Sequence, residues 1–280
     1  MTRPPELTDR AALCRFRARA ARRGPALFLH EVAGEEIEER LAEVNRRFTA
    51  PAVVTGWPTF WQERFPRARV VADAPLLDLA PEAHDLVIHA LCLHWADDPV
   101  GQLVQCRRAL KPDGLFVAAL FGGQTLAELR AVLAEAEAEI AGGLAPRVLP
   151  MGEIRDLGAL LQRAGFGLPV ADCLKLPASY ADAFALMRDL RAMGEANAMA
   201  ARHRRPAPRR LFAEAARRYA EAFPAPGGRI RAGFEMVFLT GWAPHESQPK
   251  PLRPGSARAR LADALGTREQ PLPDQVPPQD

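Results

Sequence analysis

The sequence predicts an α/β fold, a doubly wound and mostly parallel sheet with helices on both faces. Three observations carry this expectation. Short apolar runs at 52–54, 69–72, 85–93 and 115–121 alternate with segments of helical periodicity, the order found in such sheets. The run 85–93 (DLVIHALCL) is apolar on both faces, as a central strand covered by helices must be. Glycine and proline mark the changes of period at Gly56-Trp57-Pro58, Lys111-Pro112-Asp113-Gly114 and Gly142-Gly143.

Residues 7–23 read as a helix, with Thr8 or Asp9 as its cap and good helix formers behind it. Its arginines either face solvent or meet an acidic partner surface. A second helix is expected over 28–47, where Ile37, Leu41 and Val44 recur at helical spacing. A strand at 52–54, a short helix at 59–65 and a strand at 69–72 follow. Beyond the run at 85–93 come a helix at 98–110, a turn at 111–114, a strand at 115–121 and a helix at 125–140 stopped by Gly142-Gly143. A helix at 151–164 and a strand at 170–175 lead to a helical region at 178–223, broken by Pro206 and Pro208. The last strand is expected at 234–242, antiparallel and near the sheet edge, while 70–73, 85–93 and 115–121 are expected side by side. The domains read as N-terminal helices over 1–48, the sheet domain over 49–265 with a helical insertion at about 178–223, and a proline-rich disordered tail over 266–280.

A chain of 280 residues has ample material for one core. Its 37 basic and 34 acidic residues leave a net charge of only +3, so global charge makes no case for a nucleic-acid partner. No apolar run approaches the roughly 20 residues of a membrane span. The start has no signal-peptide core, and Glu6 and Asp9 interrupt arginines that would otherwise suit a transit peptide. A cytoplasmic protein is expected, with Cys14, Cys92, Cys106 and Cys173 reduced and mostly buried. The sequence holds no HExxH motif, CxxC pair or Cys/His cluster, and no metal site is expected.

The segments VVADAPLLDLAPEAHDLVIHALCLHW (70–95) and LKPDGLFVAALFGG (110–123) resemble the middle of a type 11 class I S-adenosylmethionine-dependent methyltransferase. DRAALCRFRARA (9–20), FGGQTLAELR (121–130), DLGALLQRAGF (156–166), MRDLRAMGEANA (187–198) and GWAPHESQPKPLRPGSA (241–257) resemble one branch of that family, the branch of respiratory complex I assembly factor 5. The resemblance implies a Rossmann-like class I methyltransferase fold, S-adenosylmethionine as cofactor, and a protein partner such as a complex I subunit. It also implies that Asp73 accepts from the adenine amino group, that Ala74 lies beside the ring, and that Gly56 belongs to the cofactor loop. His89, His94 and Trp95 fall at or after the carboxyl end of the central strand, where ligands of open α/β sheets bind. His89 therefore joins the cofactor-binding candidates and His94 is a candidate base, with a packed histidine as the alternative. His245, beside Glu246 and after Trp242, is a second catalytic candidate that would line a substrate cleft.

One departure bears on all of this. The family places an acidic-Leu-Gly-Cys-Gly-x-Gly loop after its first strand, and this chain has AVVTGWP at 52–58. One glycine remains. Trp57 obstructs the close backbone approach that glycines permit, and Pro58 has no N–H to donate. Val53 and Asp73 are only 20 positions apart, room for one crossover helix of about eight residues, roughly 12 Å long. The sheet is thus expected to be shortened in its N-terminal half and smaller than seven strands. A strand, a helix and the carboxylate that holds the ribose are expected to be missing. Whether 52–54 is the family's first or second strand stays open. Two functions fit: a methyltransferase-like protein that modifies or assists assembly of a complex I subunit, and a non-catalytic assembly or binding protein on a degenerate methyltransferase fold. S-adenosylmethionine is expected to bind weakly or not at all.

Overall fold

A computed structural model describes residues 6–249 and 266–267. The chain divides into two units, Met1–His245 and Glu246–Asp280, and every element named here lies in the first. Two helices, α1 (Arg10–Arg23) and α2 (Phe28–Val44), precede β1 (Pro51–Thr55), α3 (Pro58–Arg64), β2 (Arg69–Ala72) and β3 (His84–Ala90). Then come α4 (Pro99–Ala109), β4 (Leu110–Phe121), α5 (Ala127–Ala141), α6 (Ile154–Arg163) and β5 (Gly167–Tyr180). The unit closes with α7 (Ala183–Ala192), α8 (Arg209–Ala222), β6 (Pro224–Ala225) and β7 (Arg229–Trp242).

The strands lie side by side as β2-β1-β3-β4-β7-β5, with the two-residue β6 paired to β7 off this path. Neighbours from β2 to β4 are parallel, and β7 is antiparallel to both β4 and β5. The sheet is therefore mostly parallel with one reversed strand near its edge. Period-2 alternation divides its side chains between two cores. Val53, Ile88, Val117 and Phe238 pack with the helical residues Ile37, Leu129 and Tyr219 on one face. Val54, Val87, Phe116 and Leu239 pack with Leu103 and Leu161 on the other.

Several expectations change. The strand at 69–72 does not adjoin the one at 84–90, because β1 pairs with both and stands between them. One seven-residue helix, α3, crosses from β1 to β2, as the spacing required, and the sheet reaches seven strands only by counting β6. The turn at 111–114 is a bulge inside β4: one residue separates His84 from Leu86, while four separate their partners Leu110 and Leu115. Asp113 takes φ 60° there. Residues 178–180 continue β5 rather than open a helical insertion, since they pair with 230–232 of β7. Helix α2 packs in the same core as the sheet, with Ala33 and Ile37 fully buried. Cys14 and Cys173 are exposed, and only Cys92 and Cys106 are buried. The tail expected from 266 lies, except for 266–267, outside the described residues. No described helix is long and apolar enough to cross a membrane.

Phe116 is fully buried and stacks on Phe166 at 4.9 Å between ring centroids. Phe116→Ala is expected to cost about 3–5 kcal/mol by leaving a cavity in a face that β4 cannot collapse. Urea unfolding checks this, and a loss under ~1 kcal/mol would show that the face repacks.

Candidate functional site

The chain leaves β1 for β2 on one side and returns to β3 on the other, which places the topological switch between β1 and β3. Ligands of open α/β sheets enter the crevice outside the carboxyl ends of the strands at such a point. Thr55 and Gly56 after β1, Asp73 after β2, and Leu91 and Cys92 after β3 surround it. β1 thus occupies the place of the first strand and β2 that of the second. Asp73 consequently ends the strand from which dinucleotide-binding sheets aim a carboxylate at ribose.

The crevice is filled by the chain's own side chains. Arg17 of α1 donates from Nη1 to Oδ2 of Asp73 at 2.8 Å. Arg10, two turns earlier, reaches the same carboxylate at 3.2 Å and also donates to the backbone carbonyl of Asp73. Burial works to raise the carboxyl pKa of Asp73, but Arg17 and Arg10 outweigh it and hold the group below the usual range. A Cβ on Gly56 would collide with the Arg17 guanidinium. Gly194, at φ 76°, comes so close that a Cβ there would lie 2.9 Å from Cγ of Arg17 and 3.2 Å from the Trp57 ring. Trp57 itself is 7% exposed. Both Nε and Nη2 of Arg17 are buried without a hydrogen-bond partner, which adds to the cost of the arrangement.

Local contacts at its start hold α1 over the crevice. Asp9 caps it by accepting from the Ala12 N–H at 2.9 Å, and Arg202 donates to the same carboxylate at 2.8 Å. The Thr8 hydroxyl donates to the Trp95 carbonyl at 2.9 Å. In this crevice the glycine of the floor is covered by the Arg17 guanidinium, and the Asp73 carboxylate is held by two arginines.

The other expected residues are dispersed. His89 is fully buried, with Nε2 2.8 Å from Oε1 of Gln102 and Nδ1 3.4 Å from Sγ of Cys92. Burial lowers its pKa to about 4, so it packs as a neutral ring. Gln102 also donates to the Ala74 carbonyl at 3.1 Å, which ties Ala74 to α4. His94 lies in a short 3-10 turn after β3, its side chain 2% exposed and its Nε2 3.4 Å from Oε2 of Glu195. The same carboxylate oxygen accepts from Nε1 of Trp95 at 2.7 Å. Burial pushes the Glu195 pKa up, but His94, Arg17 and Trp95 outweigh it and keep the carboxyl below the ordinary range. His245 is at the wrong end of the sheet. It follows Trp242, which pairs with Leu115 just after the bulge of β4, roughly 20 Å of strand from Phe121.

Beside the crevice, past the carboxyl end of β4, lies a cavity of 220 Å³ walled by Trp95, Phe121, Leu129, Met187, Phe212 and Phe234. Glu195 forms part of its wall, and Arg147 and Arg191 line it as well. Arg147 is held by Glu137 at 2.5 Å. Sequence reasoning missed Arg10, Arg17 and Glu195. One signal was available for Arg17, which falls on the buried stripe Leu13–Arg17–Ala20 of α1, where a charge needs a partner.

Residues 20–118 match the family model of the methyltransferase domain. Over 198 residues the chain is 39% identical to "Arginine-hydroxylase NDUFAF5, mitochondrial" of Danio rerio, covering 71% of this chain and 61% of the relative. The human protein of that name is 39% identical over 202 residues, covering 72% of this chain and 58% of the relative. A malonyl-[acyl-carrier protein] O-methyltransferase of Xylella fastidiosa (strain M23) is 34% identical over 179 residues, covering 64% of this chain and 58% of the relative. The chain thus spans only 58% to 61% of the length of these relatives. The NDUFAF5 relatives are mitochondrial proteins by name, which overturns the expectation of a cytoplasmic protein.

Proposed function

We propose that this chain, which matches the methyltransferase-domain model over residues 20–118 and resembles NDUFAF5, serves the assembly of respiratory complex I as a binding protein which no longer holds S-adenosylmethionine in the inherited crevice. The observation that carries this reading is the Arg17–Asp73 pair seated against Gly56. It replaces a ligand's charges with the protein's own, and a cofactor would have to break it to enter. A modifying role, such as the name arginine-hydroxylase assigns to the relatives, would have to use the neighbouring cavity, where Thr125, Arg147, Arg191, Glu195 and Asn197 are the polar groups at hand.

Calorimetric titration of the whole chain with S-adenosylmethionine tests the reading. No saturable heat is expected at cofactor concentrations up to the millimolar range. Each lost contact worth ~1.4 kcal/mol raises the dissociation constant tenfold, and here the glycine loop and the free carboxylate are both gone. A dissociation constant in the low micromolar range would overturn the proposal.

A further inference from the structure

The 220 Å³ cavity is smaller than the roughly 300–1,000 Å³ of sites that take drug-sized ligands. It has room for one or two side chains, and most of its wall is aliphatic or aromatic. Four arginines unpaired among the described residues stand at its rim. Arg191 of α7 lines the cavity, and Arg188 lies one turn before it on the same helix. Phe212 of α8 forms another part of the wall, and Arg209 and Arg210 occupy the turn before it. All four arginines are exposed, and no guanidinium among them has an ion pair or hydrogen bond among the described residues.

The far end of α8 shows the contrast. There Arg217 pairs with Glu214 and Glu221, and Arg218 pairs with Glu214, Glu135 and Glu139. The placement of Arg209 and Arg210 is also unfavourable in isolation. They stand in the first turn of α8, which has no acidic residue, at the positive end of the helix dipole. An external anion there would relieve both the dipole and the mutual repulsion. Inside the cavity the balance differs. Glu195 already accepts from Nε1 of Trp95 and lies 3.4 Å from Nε2 of His94, and Arg147 is paired with Glu137, so the interior favours an uncharged group.

We infer that the cavity and its arginine rim receive an acidic segment of a partner protein, with an apolar side chain of that segment filling the cavity and its carboxylates meeting Arg188, Arg191, Arg209 and Arg210. The inference rests on the reading of this chain as a binding protein and names the chemistry of what it binds. An apolar anchor in a pocket surrounded by complementary charge divides the work: the anchor holds the complex and the charges steer and select.

The test uses three fluorescein-labelled dodecapeptides and fluorescence anisotropy with the whole chain at 50 and 150 mM salt. The first peptide has glutamates flanking a central Phe-Leu pair, the second has serines in place of that pair, and the third has lysines in place of the glutamates. The first is expected to bind, the second at least tenfold more weakly, and the third not at all. The double variant Arg191→Glu/Arg209→Glu is expected to weaken the first peptide at least tenfold. The control Arg108→Glu/Arg163→Glu, near the carboxyl ends of α4 and α6 on the other face of the sheet, is expected to leave it within twofold. Equal binding of the first and second peptides would overturn the inference, and so would equal effects of the two double variants. Absence of peptide binding, with phosphatidylglycerol vesicles bound through the same arginines instead, would also overturn it and assign the rim to a lipid surface. The cofactor titration fails or succeeds independently: low-micromolar S-adenosylmethionine with intact peptide binding would sink only the reading of the crevice.

Discussion

Replacing Asp73 by alanine is expected to remove about 3–5 kcal/mol of folding stability, although it deletes a short side chain just after a four-residue strand. The reason is what the change leaves behind. Arg17 is 7% exposed, and among the described residues Asp73 is the one carboxylate to which it is hydrogen-bonded. Without Asp73 the guanidinium would keep its charge in an enclosed space, with Trp57 on one side and Gly56 beneath it. Arg10, with a quarter of its side chain exposed, can turn to water and adds little to the penalty. For a chain of this size the loss corresponds to a fall in Tm of roughly 10 °C. The double variant Arg17→Met/Asp73→Leu is expected to recover most of it, because a buried ion pair replaced by apolar groups of similar volume is close to neutral. Thermal and urea unfolding of both variants decide the matter. A double variant as unstable as Asp73→Ala would mean that the penalty is loss of shape rather than an orphaned charge.

Lowering the pH from 7.5 to 5 is expected to cost about 4 kcal/mol, most of it through His30 and His89. Burial is the first cause in both. It lowers the His30 pKa to about 3, and His30 also accepts from Nε1 of Trp61 at 3.0 Å. It lowers the His89 pKa to about 4. In the unfolded chain both titrate near 6.5. The folded values are depressed, so below pH 6.5 the unfolded state takes up protons that the folded state refuses. Stability is therefore complete above about pH 6.5 and falls by ~1.4 kcal/mol per pH unit for each ring until the folded values near 4 and 3 are reached. Asp73 and Glu195, whose folded pKa values are also lowered, add a further loss once the pH drops below the ordinary carboxylate range. Urea midpoints at pH 7.5 and 5.0 measure the main effect, and His89→Asn is expected to remove about half of it. An unchanged midpoint at pH 5.0 would show that both rings are protonated in the fold.

Much of the fold was legible because it is written in short-range terms. Hydrophobic period, capping residues and glycine stops located the helices and most of the strands to within a few positions, and each of those signals acts over one or two turns of chain. The 20 positions between Val53 and Asp73 limited the crossover to one helix by length alone. Trp57 and Pro58 announced a cofactor loop that had lost its glycines. Tertiary structure alone decided what no local pattern carries. Nothing near 52–54 states that β1 stands between β2 and β3, because strand neighbours are chosen by burial on both faces of the finished sheet. The last strand was legible as antiparallel, but nothing near His245 states that β7 lies between β4 and β5 in the register that delivers it to the far end from His94. Above all, the group that fills the crevice comes from another part of the chain: Arg17 and Asp73 are 56 residues apart, and Glu195 lies farther still along the sequence. A buried charge must find its counter-charge wherever the fold brings one within about 3 Å, and that distance is a property of the packed chain rather than of any segment of it.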